Sequence, residues 1–341
     1  MKIIKTANIK LRGKRVLVRC DFNCPLNKKG EIEDDFRIKR TIPTIEFLLK
    51  KDAKIILMSH LDDPGGRVVE NLRLTPIQDK LFEYLDLSIL KAPDCKGENI
   101  KKMVFEMENG EIMLLENLRF HKGEEANDEN FAKGLAELGE VYINDAFGAS
   151  HRNHASIVGV PKFLPSFAGL LLEEEVRTLK KVIENPKRPL VGIFGGVKIE
   201  TKLPVIKKFL EIADFVLVGG KIAKEVNFKD KKLIVAETTK NDFDISEASI
   251  KKFKDIIENS ATIVWNGPLG FFEKKEYENG TKEVAKAISE SKAFKVVGGG
   301  ETLFAVFKYN LADKIDFLST GGGAMLEFLA KGTLPGIEAL K

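Results

Sequence analysis

The chain has 341 residues, 43% of them hydrophobic, with 55 basic and 51 acidic side chains and a formal charge of +4. That length exceeds what one core usually supports, so two domains are expected, and the balanced charge gives no reason to expect nucleic acid or a membrane surface as partner. Three cysteines, Cys20, Cys24 and Cys95, have no disulfide or zinc spacing, the N-terminus is poor in apolar residues, and no apolar run approaches ~18 residues, which implies reduced thiols and a cytoplasmic enzyme or binding protein.

Short apolar runs alternate with amphipathic stretches. In chain order they predict a strand near 15–20, a helix over 36–50, a strand at 54–58, a helix at 76–85, a strand at 112–116, a helix at 128–138 opening at Asp128, and a strand at 141–145. A helical period over 168–184 follows, and NPKRP restarts the chain as a strand. The second half reads as strand 190–195, helix 201–211, strand 214–218, helix 247–258, strand 262–266, helix 280–290, strand 294–298, helix 301–309, strand 315–319 and helix 323–330. This alternation predicts an α/β fold of two Rossmann-like domains, each a parallel sheet flanked by helices. The boundaries expected are 1–167 and 185–327, with 168–184 either an ordinary surface helix or a hinge helix joining them.

The strands end differently in the two halves. In the second, LVGIFGG, FVLVGG, FKVVGGG and IDFLSTGGG end in glycine; in the first, VLVRCDFN, IILMSH, IMLLENLRF and VYINDAFGASHR end in charge, and all four histidines fall there. Glycine admits backbone N–H groups close to a phosphate, whereas arginine and histidine hold anions with side chains. The pattern predicts two platforms for two anionic ligands.

On the charged platform, Asp21 and Asn23 suit hydroxyl and carboxylate recognition, although Asp, Asn and Pro25 also fit an Asx-type turn. Arg37 opens a helix against the dipole preference, which suggests another task or merely a solvated side chain. His60 after ILMS reads equally as a structural hydrogen bonder. Arg119 and Arg152 are unremarkable singly. Together with Arg37 and His60 they place cationic groups after different strands of one sheet, as an anion pocket requires. His151 and His154 have no neighbouring carboxylate or cysteine in sequence to complete a metal site.

On the glycine platform, Gly195 and Gly196 lead into a helix, and Lys198 and Lys202, four apart, are expected on one helical face toward a polyphosphate. Gly219 ends the next strand. Gly298, Gly299, Gly300, Glu301 and Thr302 repeat the strand–glycine–helix context, and STGGGAML makes a third. Each alone is also ordinary turn chemistry. The loop WNGPLGFFE, with Glu273, suits a base or ribose, or is a plain loop with a surface glutamate.

In order, VLVRCDFNCPL, DDFRI, ILMSH, LLENLRF, NDAFGASHR, GGVKIETK, WNGPLGFFE, GGGET, STGGGAMLEFL and LPGIEAL carry a resemblance: the chain is similar to the phosphoglycerate kinases over nearly its whole length. Its wording around FLPSFAGLLLEEEV is closest to archaeal members. The resemblance implies reversible phosphoryl transfer between 1,3-bisphosphoglycerate and Mg-ADP, giving 3-phosphoglycerate and Mg-ATP, in a monomer whose domains close by a hinge. It implies a triose site at Asp21, Asn23, Arg37, His60, Arg119 and Arg152. It implies a nucleotide site at Gly195, Gly196, Lys198, Lys202, Gly219, Glu273 and Gly298–Thr302. Arg37 and Lys198 are the implied catalytic groups. Magnesium travels with the nucleotide, and Glu301 is the candidate protein carboxylate to touch it. The tail 328–341 is implied to rejoin the first domain.

The chain departs from the family pattern at several points. SHLDDP, Ser59–Pro64, replaces the usual SHLGRP, so Asp63 stands for an expected arginine, for which Arg67 is a substitute or a solvated loop residue. Glu301 stands where aspartate is common, and Lys221 where a third glycine is usual. Val226–Ser246 is shorter than expected. A dinucleotide oxidoreductase is the rival enzyme reading, but its G-x-G-x-x-G fingerprint does not occur. The departures leave a second alternative, a catalytically silent binding protein that keeps the fold.

Overall fold

The computed structural model describes residues 1–239 and 242–341, so 240 and 241, inside the shortened stretch, lie outside the described residues. The first half contains β1 (Arg15–Arg19), α1 (Phe36–Leu49), β2 (Lys54–Met58), α2 (Thr75–Leu85), β3 (Ile89–Lys91), α3 (Glu98–Glu106), β4 (Ile112–Leu114), α4 (Lys122–Glu125), α5 (Glu129–Ala136), β5 (Val141–Asn144), β6 (Ser166–Ala168) and α6 (Leu170–Glu184). Six strands form one sheet in the order β3-β4-β2-β1-β5-β6, every pairing parallel. Val16, Leu17, Val18, Ile55, Ile56 and Leu57 are fully buried, as strands covered by helices on both faces must be. β3, β6 and α3 are not expected from the sequence. Both strands are three-residue edges, and β3 points Leu90 to solvent.

The second half contains β7 (Leu190–Phe194), α7 (Ile199–Ile212), β8 (Phe215–Val218), β9 (Leu233–Val235), α8 (Glu247–Glu258), β10 (Thr262–Asn266), α9 (Asn279–Glu290), β11 (Phe294–Gly298), α10 (Gly300–Lys308), β12 (Phe317–Ser319), α11 (Gly322–Lys331) and α12 (Pro335–Glu338). Its six strands run β12-β11-β10-β7-β8-β9, again all parallel. At Gly192 a Cβ would lie 2.5 Å from the Phe209 ring, so the missing side chain lets α7 pack onto β7. In each sheet the chain starts at an inner strand, β1 or β7, and later returns to its other side. That reversal opens a crevice beyond the strands' C-terminal ends.

The chain divides into two compact units, Met1–Val176 with Leu334–Lys341, and Arg177–Thr333. The first division falls inside α6. That helix is anchored in the first unit by Asp145, whose Oδ1 accepts from the Leu171 and Leu172 amides at 2.9 and 3.3 Å. Residues 328–331 remain with the second unit, because α11 packs on α7. The tail binds the first unit: Gly336 N donates to Ser150 O at 2.8 Å and Lys2 N to Leu340 O at 3.4 Å. Leu334, Ile337 and Leu340 are buried.

Candidate functional site

Three of the first sheet's strand ends converge through side-chain bonds. After β1, Asp21 Oδ1 accepts from the Asn23 amide at 3.3 Å, forming the Asx turn. The same oxygen accepts from Arg37 Nη1 at 3.3 Å, and Arg37 Nη1 also reaches Asn23 O at 2.8 Å. The Asx turn and the residues expected to bind a ligand are therefore one structure. Arg37 is the second residue of α1, whose leading Phe36 amide is taken by Asp34 Oδ1 at 2.8 Å. Asn23 Oδ1 accepts from the Asp62 amide at 2.8 Å, and Arg119 Nη1 donates to Asp62 O at 2.7 Å, which ties the loop after β2 to both neighbours.

Arg119 is 4% exposed, with its Nε 3.2 Å from the Glu125 carboxylate, and its Nη2 has no hydrogen-bond partner among the described residues. A buried guanidinium N–H left unpaired is costly and suits an incoming anion. His60, 4% exposed, has its pKa pushed well below the usual histidine value by burial, then by the charges of Arg19, Arg119, Arg152 and Arg37. Asp21, Asn23, Arg37, His60, Arg119 and Arg152 are thus brought together. His154 is held down to about 3 by burial and by Arg119, Arg19 and Arg152. Glu124, absent from the neighbouring sequence, does approach His154 in space at 3.8 Å, but the surrounding guanidiniums make the place hostile to a metal cation.

Other residues hold this cluster and escape the sequence reading. Asn117 bonds Leu61 O at 2.8 Å, Leu72 O at 2.9 Å and the Arg119 amide at 3.1 Å, fixing the turn after β4 against the loop after β2. Ser59 Oγ accepts from the Phe22 amide at 2.9 Å. Arg19, inside the apolar run VLVRC, is fully buried, a signal that a charge within a strand needs a built partner. Asp63 turns onto its own loop, accepting from the Gly65 amide at 3.3 Å, and Arg67 is exposed with no polar partner among the described residues.

The glycine platform works differently from a simple cradle of free amides. Gly195 N donates to Asn266 O at 3.0 Å, Gly196 N to Pro268 O at 2.7 Å, Gly219 N to Phe194 O at 3.0 Å and Gly220 N to Leu269 O at 3.1 Å. These glycines let three turns press together: a Cβ at Gly195 would sit 2.2 Å from Pro268 O, and one at Gly220 2.8 Å from Gly196 N. Amides left for an anion include those opening α10, at Gly300, Glu301 and Thr302, and those opening α11, at Gly322, Gly323 and Ala324, which have no intrahelical acceptor. Thr302 Oγ1 accepts from Gly267 N at 2.7 Å and Asn266 Nδ2 donates to Gly298 O at 2.7 Å, locking the α10 start to the loop after β10.

Lys198 and Lys202 do not share a helical face, because α7 begins at Ile199 and Lys198 is its extended, exposed N-cap. Lys202 is 9% exposed, with its pKa lowered by burial although Glu301 opposes this. Both flank Gly196: its missing Cβ would be 3.3 Å from Lys202 Nζ and 3.9 Å from Glu301 Oε2. Trp265 is fully buried and donates to Gly267 O at 2.9 Å, so it shapes the loop from beneath, while Glu273 is exposed upon it. All three thiols are free and buried. One group among the described residues has metal-ligand character, Asp94, Cys95 and His121. It is satisfied internally, Asp94 Oδ1 meeting His121 Nε2 and the Cys95 amide, each at 2.6 Å.

The sequence model of the family described as phosphoglycerate kinase matches residues 6–242 and 224–332. Its break falls in the stretch that the sequence marks as shortened. The phosphoglycerate kinase of Borrelia garinii is 41% identical over 392 aligned residues, covering 100% of this chain and 99% of the relative. Set against 341 residues, that alignment leaves the relative about 50 residues without a counterpart. The Aquifex aeolicus enzyme is 41% identical over 380 residues, covering 96% of each. Among solved structures, phosphoglycerate kinase from Pyrococcus horikoshii OT3 superposes with a TM-score of 0.87 at 29% identity, covering 100% of this chain and 98% of that one. That from Coxiella burnetii gives 0.81 at 32% identity, covering 98% of each. Two sheets with unlike strand ends, matched end to end by sequence and by fold, leave one assignment, and the chain belongs to the phosphoglycerate kinase family.

Proposed function

We propose that this chain is a phosphotransferase that moves a phosphoryl group reversibly between 1,3-bisphosphoglycerate and Mg-ADP, giving 3-phosphoglycerate and Mg-ATP. The first unit is its triose domain and the second its nucleotide domain. The observation that carries this reading is the gathering of Arg37, Arg119 and Arg152 about a buried His60, with one guanidinium N–H of Arg119 left unpaired. Asp21 and Asn23 complete the triose site. Lys198, Lys202, Glu273 and the glycine turns at Gly195, Gly196, Gly219 and Gly298–Thr302 form the nucleotide site.

In the ATP-forming direction an oxygen of the ADP β-phosphate attacks the acyl phosphate phosphorus. The bond to the acyl oxygen breaks and 3-phosphoglycerate leaves as a carboxylate. Neither nucleophile needs a general base at neutral pH, so catalysis rests on in-line positioning and charge stabilisation. Arg37 of the triose domain is the group that stabilises the transferring phosphoryl, and Lys198 with the α10 amides of the nucleotide domain neutralises the nucleotide's phosphate charge. The Glu301 carboxylate, exposed beside Lys202, offers hard oxygen ligands of the type magnesium prefers, and the metal arrives with the nucleotide phosphates.

A cytoplasmic monomer completes the proposal: the thiols are free and buried, as a reducing compartment permits, and a single 38.1 kDa species in sedimentation is the expected result. A coupled assay with 3-phosphoglycerate and Mg-ATP tests the activity. Turnover is expected; absent turnover with intact ATP binding would favour the catalytically silent protein.

A further inference from the structure

Behind the arginine cluster lies a second, wholly buried network that meets the proposed ligand pocket at His60. Arg19 is fully buried on β1 and uses its whole fork. Its Nε donates to Ser156 Oγ at 2.7 Å, its Nη1 to Cys20 O, and its Nη2 lies 3.2 Å from His60 Nδ1. Glu124, also fully buried, stands behind it with Oε1 at 3.9 Å from Nη2. Ser156 closes the ring, donating from Oγ to Glu124 Oε1 at 2.5 Å and from its amide to Oε2 at 2.9 Å.

A guanidinium has no acceptor and does not deprotonate in a protein. Whatever meets its N–H must therefore accept, so His60 Nδ1 carries no proton and the neutral ring holds its proton on Nε2. We infer that Arg19, clamped by Ser156 and Glu124, is a positioning residue that locks His60 as the neutral Nε2–H tautomer, so that this histidine meets an anionic ligand as a fixed donor rather than as a titrating cation. The chemistry favours this arrangement. Arg19 from β1, Arg37 from α1, Arg119 after β4 and Arg152 after β5 already face the ring with positive charge, and His154 and Glu124 lie behind them. A further buried cation would be repelled, whereas a neutral N–H adds direction at no charge cost. Histidine binding strength would then persist as pH rises through the range in which a free imidazole loses its proton.

This inference rests on the triose reading for its functional consequence but not for its structural test. With four histidines in the chain, 15N-histidine labelling of the full protein, assigned with His60→Gln, reads each ring directly by long-range proton–nitrogen correlation. The expected spectrum has an unprotonated Nδ1 and a protonated Nε2 at His60, unchanged over about pH 5–8. A protonated Nδ1, or a titration midpoint near about 6.5, overturns the lock. Arg19→Lys and Ser156→Ala are expected to yield mixed tautomers and to raise the KM for 3-phosphoglycerate about tenfold, the loss of one charge-assisted bond, with the nucleotide KM unchanged. Should Arg19→Lys fail to fold, Ser156→Ala and the unsubstituted spectrum still decide. A locked ring whose resonances ignore added 3-phosphoglycerate would support the lock and overturn the triose reading instead.

Discussion

Arg37 occupies a place where a helix prefers an anion, and Asp21 with the Asn23 carbonyl offsets that mismatch while leaving the side chain 29% exposed. A cation held at 3.3 Å from Asp21 and 2.8 Å from Asn23 O, with its side chain still part-exposed, fits the role proposed for it in phosphoryl transfer. Arg37→Ala is expected to lower kcat at least a hundredfold, with a much smaller change in nucleotide KM, measured by steady-state kinetics. Unaltered kcat would remove Arg37 from the chemistry. Asp63 presents the opposite case, a carboxylate turned back on its own loop beside the proposed triose site. Asp63→Arg is expected to lower the KM for 3-phosphoglycerate several-fold, by about one charge-assisted hydrogen bond. An unchanged KM would show that the pocket does not reach this loop. The residues proposed for the triose site could be named from the sequence because motif words carry them. The Arg19–Ser156–Glu124 ring could not, because Arg19 and Ser156 stand 137 positions apart and nothing local marks the pair.

At the scale of elements, the start of α6 depends on a carboxyl in an awkward state. Burial raises the Asp145 pKa to about 6, although Thr44 and the Leu172 and Leu171 amides pull it down. Below about pH 4 the group is protonated in folded and unfolded chains alike and contributes no pH dependence. Between about 4 and about 6 the folded chain keeps a proton that the unfolded chain releases, so stability falls as pH rises. The loss is about 2–3 kcal/mol, complete above the folded pKa. Asp145→Asn keeps an acceptor for Leu171 and should remove this fall, as compared by urea denaturation on either side of the window. The glycine turns give a second test. Gly195→Ala forces a Cβ onto the Pro268 and Gly267 carbonyls, at 2.2 and 2.7 Å, and should cost about 1–3 kcal/mol. Gly300→Ala meets nothing within 4 Å and should change stability by less than about 0.5 kcal/mol. Long periodic helices and central strands were readable from the sequence. β3, β6 and β9, three-residue edges, were not, whereas β12, equally short and at an edge, was marked by the apolar run ending in its glycine turn, and the helical register of Lys198 failed because the turn consumes it as a cap.

For the whole molecule, the tail contributes more than its length suggests. Leu334, Ile337 and Leu340 are each nearly fully buried in the first unit. Leu340→Ala is expected to cost about 2–4 kcal/mol, a large share of a typical domain's stability, and to shift the denaturation midpoint of the first unit. A midpoint within error of the parent would mean that the tail merely rests on the surface. The shortened second unit still supplies a complete six-stranded sheet, and the central turns survive the shortening because they lie at β7, β8 and β10, inward of β9.

Residues near the two ends of the first unit also meet: Lys2 N reaches Leu340 O, and Ala168 N reaches Lys2 O. The second unit is therefore an insertion between two parts of the first. On the ribosome residues 1–176 emerge before Leu334–Lys341, so the first unit lacks those partners until that later segment has cleared the exit tunnel. The second unit, continuous in sequence, is free to fold before then. Assembly is thus out of step with synthesis: the unit begun before the second is completed after it.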